Sequence, residues 1–481
     1  MSFPLLTRVT KHSLLPLTLV LAACSSNAPK PPKPALQSSS WQVPEGVAVQ
    51  ENATVEDLSR WWQTWHDPVL DQLIEQVLAN NLSLSSAGIS HQIAQIQAGV
   101  ATATFRPKAN ASLGASESAT TKTNSSNYNA GLSVAWELDL WGRIGAQTEK
   151  AQAAVERTQA ELHAAQVSLV AQVVQAYVNL RLAQQQENIA RKMVEIRNEK
   201  YKVAQWQYKA GLGTELSQIE AVTKLRQAEA AVPPYSKTIR QSLHELKLLS
   251  GGDLGELANQ LQQASELPTT NQTPLAVAAE MLRQRPDVKA KENAFKEQYQ
   301  AVFLAKAARY PSFSLTGSLN SSNQSFADVF SVDNVVARLA ASLSYVLFDG
   351  GVMRQNIATQ KLQLEQSLLT YRSTLLTAQQ EVENALTSLD TVQRQRESFQ
   401  QALEAAELGY QVANMQFKAG LVGEEDMLDS QQALLNNQNS LLSNQASLLT
   451  SWVQLYRSLG GGWSDANDNQ VAMTNTEVQG E

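Results

Sequence analysis

Residues 208–222, "YKAGLGTELSQIEAV", return at 417–431 as "FKAGLVGEEDMLDSQ", which places Gly211 and Gly420 in the same frame 209 residues apart. The same offset separates Gly142 in "ELDLWGRI" from Gly351 in "VLFDGGVM". Upstream, "FRPKANASLGAS" (105–116) is echoed by "RYPSFSLTGSLN" (309–320). Each half therefore reads helix, strand, strand, long helix, glycine turn, helix. This is duplication of one structural unit, since an array of short repeats would show a period of ~20–50 residues.

Four segments alternate with a period of two. In "YNAGLSVAWELDL", Tyr128, Ala130, Leu132, Val134, Trp136, Leu138 and Leu140 face one way, and Asn129, Ser133, Glu137 and Asp139 the other. Over 337–347 the apolar set is Ala337, Leu339, Ala341, Leu343, Tyr345 and Leu347, opposite Arg338, Ser342 and Ser344. The segments after Pro107 and Pro311 alternate likewise, through Leu113 and Leu319. Strands of about ten residues are the length a tilted strand needs to cross a bilayer in a barrel. A soluble sheet packed on helices would show the same alternation. Four strands cannot close a barrel, and open edges do not survive in lipid, so a membrane barrel would need several chains; three would supply an even set of about twelve strands.

The remainder predicts long helices. No proline lies between Pro107 and Pro233, and none follows Pro311. Leu364, Tyr371, Ala378, Ala385, Val392 and Phe399 keep a seven-residue step, as do Leu368, Leu375, Val382 and Leu389. Met427, Leu434, Leu441, Leu448 and Leu455 do the same after the second turn, with Leu428, Leu435, Leu442, Leu449 and Tyr456 one position on. Sustained heptads imply left-handed supercoiling, and a double stripe implies neighbours on two sides. A helix over 352–418 would be ~100 Å long. The helices at about 424–458 and 275–308 would each be about half that, so two stacked end to end match the long one. The first half repeats this with 143–208 against 214–249 and 69–104, and Pro233-Pro234 should break or kink its shorter helix.

The amino terminus predicts export. Arg8 and Lys11 precede a short apolar run ending "LAAC", too short to span a bilayer, and Cys24 is the single cysteine. That arrangement marks 1–23 as a signal peptide and Cys24 as the residue cleaved before and acylated, with 24–40 a proline-rich tether. No later window is apolar enough for a spanning helix. The formal charge is −7, and without Arg8 and Lys11 it becomes −9, which argues against a nucleic-acid partner. The domains read as 41–250 (strands about 107–117 and 128–141, turn about 209–214), a connection at 251–273, 274–459 (strands about 311–320 and 337–348, turn about 418–424), and a tail at 460–481. The connection and tail are placed near the midpoint.

Enzyme chemistry is missing. There is no G-x-S-x-G, G-x-x-x-x-G-K-[ST] or H-E-x-x-H, and His66, His91, His163 and His244 stand singly, without metal-site spacing. No metal or cofactor is expected beyond the covalent lipid. Trp61, Trp62 and Trp65 read as packing for the amino-terminal arm. A lipid-anchored helical spacer without a pore is the alternative left open by these features.

The lipobox, "WWQTWHDPVLDQLIEQVLANN" (61–81), "WELDLWGRI" (136–144), "YKAGLGTELSQ" (208–218), "LRQRPDVKAKENAF" (282–295), "LFDGGV" (347–352) and "FKAGLVGEEDMLDSQ" together resemble the TolC family of outer-membrane efflux channels, in its OprM/NodT-like lipoprotein branch. The resemblance spans nearly the whole mature chain, in family order. It implies a homotrimer with a twelve-stranded transmembrane β-barrel and a periplasmic α-helical barrel. It also implies a passive duct served by an inner-membrane pump and a periplasmic adaptor. Asp426 and Asp429 match aspartates that ring the closed periplasmic aperture in the family, and Ala210-Gly211-Leu212 and Ala419-Gly420-Leu421 match its adaptor-facing tips. Two departures stand out: Phe417 and Val422 occupy positions where relatives carry a latching Tyr and Arg, and Ser217 stands where some carry an acid.

Overall fold

The computed structural model describes residues 50–51, 58–119, 121, 124–270, 275–276 and 279–463. The signal, Cys24, the tether and most of the carboxy-terminal tail lie outside them. The elements are β1 (Gln50–Glu51), α1 (Pro68–Asn80), α2 (Leu82–Ala103), β2 (Lys108–Ala119), β3 (Asn124–Leu138), α3 (Arg143–Lys209) and α4 (Glu215–Leu249). Then follow α5 (Leu257–Gln262), β4 (Leu275–Ala276), α6 (Pro286–Ala307), β5 (Ser312–Asn323), β6 (Val335–Ser344), α7 (Val352–Lys418) and α8 (Glu424–Ser458). The duplication is legible in lengths: α3 and α7 both run 67 residues, and α4 and α8 both run 35.

The chain forms two compact units. One contains Ser90–Gln159 and Ala290–Arg372, the other the described parts of Leu36–Ile89, Ala160–Lys289 and Ser373–Glu481. In the first, four antiparallel strands pair in the order β2-β3-β5-β6. Register aligns the alternation across the whole sheet: Ala111 opposes Leu132, which opposes Leu319, which opposes Ala337. One row over on the other face, Asn110, Ser133, Ser318 and Arg338 are opposed. One face is therefore almost wholly apolar, and the other is mostly Ser, Asn, Thr and Gly with the charged Lys108, Glu137 and Arg338. Helices line up in the same order, joined by His91 to Thr158 (3.1 Å, α2–α3), Arg157 to Glu297 (3.1 Å, α3–α6) and Gln298 to Gln360 (2.8 Å, α6–α7).

The expected strands over 128–141 and 337–348 end early, at Leu138 and Ser344, so Leu140, Tyr345 and Leu347 are not on the sheet. An aspartate cap follows each strand. Asp139 accepts the Gly145 N–H (2.7 Å), and Asp349 accepts those of Gly351 (2.8 Å) and Met353 (2.7 Å). Each aspartate satisfies orphan donors at the start of a 67-residue helix, and β6 itself stops where its partner begins, Ser344 opposite Ser312, because Pro311 has no N–H to donate.

In the second unit the heptads are the covered stripes. Ala378, Val382, Ala385 and Leu389 of α7 are buried, as are Leu428, Leu435, Leu448, Leu449, Leu455 and Tyr456 of α8. α8 packs on α3 through Ile196, Leu428 and Leu435, and on α7 through Asn444, which donates to the Val392 carbonyl (3.2 Å). α4 meets α3 where Ser236 donates to Glu187. With Arg191 one turn away, that hydrogen bond holds the Glu187 carboxyl below its usual range. The helix order is α4-α3-α8-α7, and α4 and α7 each lack a neighbour on one side among the described residues.

Pro233 and Pro234 do not break α4, which runs unbroken from Glu215 to Leu249. Both prolines sit on its exposed face, where water satisfies the carbonyls they free. Trp61, Trp62 and Trp65 are buried, and Trp61 stacks on Tyr456 of α8 at 4.7 Å. Asp67 caps α1 through the Val69 and Leu70 N–H groups and accepts the Tyr177 hydroxyl (2.5 Å).

Burial pushes the Tyr456 phenol up to about 12. Burial and donation to Asp67 raise Tyr177 further. Their unfolded-state value is 10.0, so above it the unfolded chain binds fewer protons and stability falls as pH rises. These two phenols should leave the thermal midpoint unaffected up to about pH 10 and lower it beyond, with Tyr456 costing ~1.4 kcal/mol per pH unit up to about 12. Tyr456→Phe, which keeps the stack, should shallow that slope in a melting series; an unchanged slope rules out this source.

Candidate functional site: helix tips and sheet faces

α3 ends in a left-handed turn, with Gly211 at φ +71° and the Leu212 N–H reaching back to the Gln207 carbonyl (2.8 Å). α7 ends identically, with Gly420 at φ +70° and Leu421 bonded to Gln416 (2.9 Å). A Cβ at either glycine would meet nothing within 4 Å, so glycine is needed for its backbone conformation and not for space. Ala210 and Ala419 are exposed beside them, and Leu212 and Leu421 are 82% and 75% exposed.

The following helices start differently. Thr214 and Ser217 cap α4 reciprocally, each side-chain oxygen accepting the other's N–H at 3.2 Å. In the second copy Gly423 has no side chain to offer. Asp426 takes the place of Ser217 and accepts the Gly423 N–H (3.2 Å). Glu424, Glu425 and Asp426 all fall in the first turn of α8, where the helix dipole favours negative charge. Asp426 is exposed and caps its helix. Asp429, one turn on, forms an ion pair with Lys200 of α3. Phe417 and Val422 flank this turn with no polar side-chain atom to share.

Lys200 is a site residue that the motifs do not reveal, although the heptad pattern holds a signal for it. Ile189, Met193, Ile196 and Val203 form an apolar stripe on α3 in which Lys200 occupies the step seven after Met193. A cation at a seam position calls for a counter-ion on the facing helix. Lys200 and Asp429 line a cleft between α3, α4 and α8 together with Arg197, Glu220, Lys224 and Glu425.

The sheet supplies the second feature. Leu113, Leu319, Leu339 and Leu343 of its apolar face stay exposed, so the long helices leave most of that face uncovered, although the turn carrying buried Val329 packs on it near Leu319. Aromatic residues bound it. Tyr128 meets Phe326 edge-on at 5.6 Å at one end. At the other, Trp136 donates to the Phe105 carbonyl (2.9 Å), and Trp141 donates to Pro311 (2.6 Å) while stacking on Tyr310 (5.2 Å). Tyr128 and Trp136 are ~26 Å apart along the strand, or ~20 Å once tilted, near the height of an outer-membrane apolar band. No helix among the described residues is long and apolar enough to cross a membrane. Nor do any three of their His, Cys, Asp or Glu side chains group to hold a metal ion.

A largely uncovered apolar strand face, a polar opposite face and helices of 67 residues fit a channel-type outer-membrane protein rather than a soluble sheet or a plain helical spacer. The chain belongs to the outer membrane efflux protein family, whose model matches residues 73–252 and 277–461, one match for each repeat. It is 28% identical over 396 residues to the pyoverdine export outer membrane protein OpmQ of Pseudomonas aeruginosa, covering 79% of this chain and 81% of that one. It is 25% identical to the probable outer membrane lipoprotein SilC of Salmonella typhimurium, covering 78% and 81%. The solved outer-membrane channel OprN superposes with a TM-score of 0.80 at 28% identity, over 91% of this chain and 99% of that one. The protein is thus an outer-membrane efflux channel of the TolC type, the outer-membrane component of an efflux pump and not an enzyme. The spacer alternative falls with this finding.

Proposed function

We propose that three copies close a shared twelve-stranded barrel and form a passive exit duct for drugs or other small molecules, fed by an inner-membrane pump through a periplasmic adaptor. The observation that carries this reading is the sheet: among the described residues β2 and β6 are unpaired edges on a four-stranded sheet whose apolar face is largely uncovered. Edges and face are satisfied together only when each sheet joins others in a ring within lipid. The uncovered sides of α4 and α7 extend the same requirement to the helices. Acylation of Cys24 anchors the amino terminus to the outer membrane, in keeping with the lipoprotein among its relatives. The exposed Leu212 and Leu421 tips present apolar contacts to the adaptor, and Asp426 and Asp429 narrow the periplasmic mouth with acidic rings that favour cations. OpmQ is named for pyoverdine export, which supports a small-molecule cargo here.

Native mass spectrometry of detergent-extracted protein should give a trimer whose chains begin at an acylated Cys24. In planar bilayers Asp426→Ala with Asp429→Ala should lower the preference for cations over anions. A monomer would overturn the shared barrel, and unchanged selectivity would remove the aspartates from the conducting path.

A further inference from the structure

We infer that Lys200 is the counter-ion of the aperture, holding the start of α8 against α3 in the resting state and masking the charge of Asp429. The inference deepens the proposed aperture and rests on it in part. Lys200 is only 11% exposed, whereas Asp429 is 61% exposed. The lysine is therefore the buried member and the acid its route to compensation, and a cation so placed is costly to leave unpaired. The pair lies where the hydrophobic seam of α3 and α8 runs out: Ile196 and Leu428 are buried, and the tip beyond carries exposed Leu421.

Duplication shows that the pair is specific to one tip. The position matching Lys200 in the second copy is Gly409, and the one matching Asp429 in the first is Glu220. The first tip thus has an acid without this lysine facing it from α7, and the second copy's α8 borrows its cation from the first copy's α3. That crossing ties the two halves of the chain together near the turns. It supplies a contact that Phe417 and Val422 cannot make.

The surrounding cleft makes the contact reversible. Arg197, Lys200 and Lys224 share it with Glu220, Glu425 and Asp429, three cations and three anions. When α8 moves away, Glu220 of α4 can take Lys200, and Asp429, already 61% exposed, passes to water, so neither charge is stranded. Exchange of partners of this kind gives an element two arrangements of similar free energy.

The test uses the full-length lipidated channel in planar bilayers. Lys200→Met keeps the seam packed and removes the charge. It should raise the open-channel occupancy about two- to fivefold, the range expected for a partly exposed pair. Lys200→Arg should behave as wild type. The swap Lys200→Asp with Asp429→Lys should bring occupancy back towards wild type although the sign at position 429 is reversed. Unchanged occupancy in Lys200→Met, or a swap no closer to wild type than Lys200→Met, overturns the inference. Selectivity reports on the aperture separately: unmasking Asp429 should sharpen cation preference in Lys200→Met. If occupancy rises while selectivity stays, the latch stands and Asp429 leaves the conducting path; if selectivity alone moves, the latch falls and the aperture stands.

Discussion

Leu132→Arg should keep the protein from assembling in the outer membrane, while Ser133→Arg, one residue on, should assemble normally. Leu132 sits midway between Tyr128 and Trp136 on the apolar face, opposite Ala111 and Leu319. A guanidinium there faces lipid near the midplane, at ~2–4 kcal/mol per chain, and a closed ring would carry one in every copy. Ser133 shares the polar face with Asn110, Ser318 and the native Arg338, so another cation there meets water and alters only conduction. Fractionation of membranes with a protease-protection assay separates the two variants. Equal assembly of both would mean that the faces are assigned the wrong way round or that the strands do not span.

The next largest effect is expected at Arg285. Its side chain is 7% exposed and forks onto Asp287 (3.0 and 2.9 Å) and Glu381 of α7 (2.7 Å), while Nη1 donates to the Ser458 carbonyl at the end of α8 (2.6 Å). Three segments far apart in sequence meet on one guanidinium. Gly460 lies so close that a Cβ there would come within 3.1 Å of the arginine side chain. Arg285→Ala should cost about 2–4 kcal/mol, somewhat under the figure for fully buried pairs because both acids are half exposed. Arg285→Lys should recover only part, since an ammonium cannot fork onto two carboxylates and a carbonyl. The readout is the midpoint of heat-induced loss of helical circular dichroism in detergent. If Arg285→Ala melts with the wild type, the cluster is a consequence of packing and not a support for it.

Leu132 and Arg285 differ in how far their surroundings can be inferred from spacing. The seven-residue steps from Ala378 to Ala385 and from Val382 to Leu389 mark the buried stripe of α7, and the two-residue step from Tyr128 to Leu138 marks the apolar face of β3. The glycines at 211 and 420 are legible as reversals, and both have positive φ. Asp139 fits the alternation of a strand, yet it serves as a helix cap. Pro233-Pro234 carries the signature of a break, yet a continuous helix accommodates it. In each, a local preference is overruled by what the neighbouring element needs or by exposure that supplies the missing hydrogen bonds. "RPD" at 285–287 is legible only as part of a family pattern, although its arginine joins α6, α7 and α8.

By itself the sequence determined the duplication, the helical and strand faces, the turns and the need for partners at open strand edges. These follow from spacing within one segment, since helices and strands repeat their side chains at steps that a linear string records. Only the tertiary structure decided that Lys200 meets Asp429 across 229 residues and that Arg285 meets Ser458 across 173. Such pairs depend on the path by which the chain returns to itself. Many paths satisfy the same periodicities, and the packing of whole helices selects one.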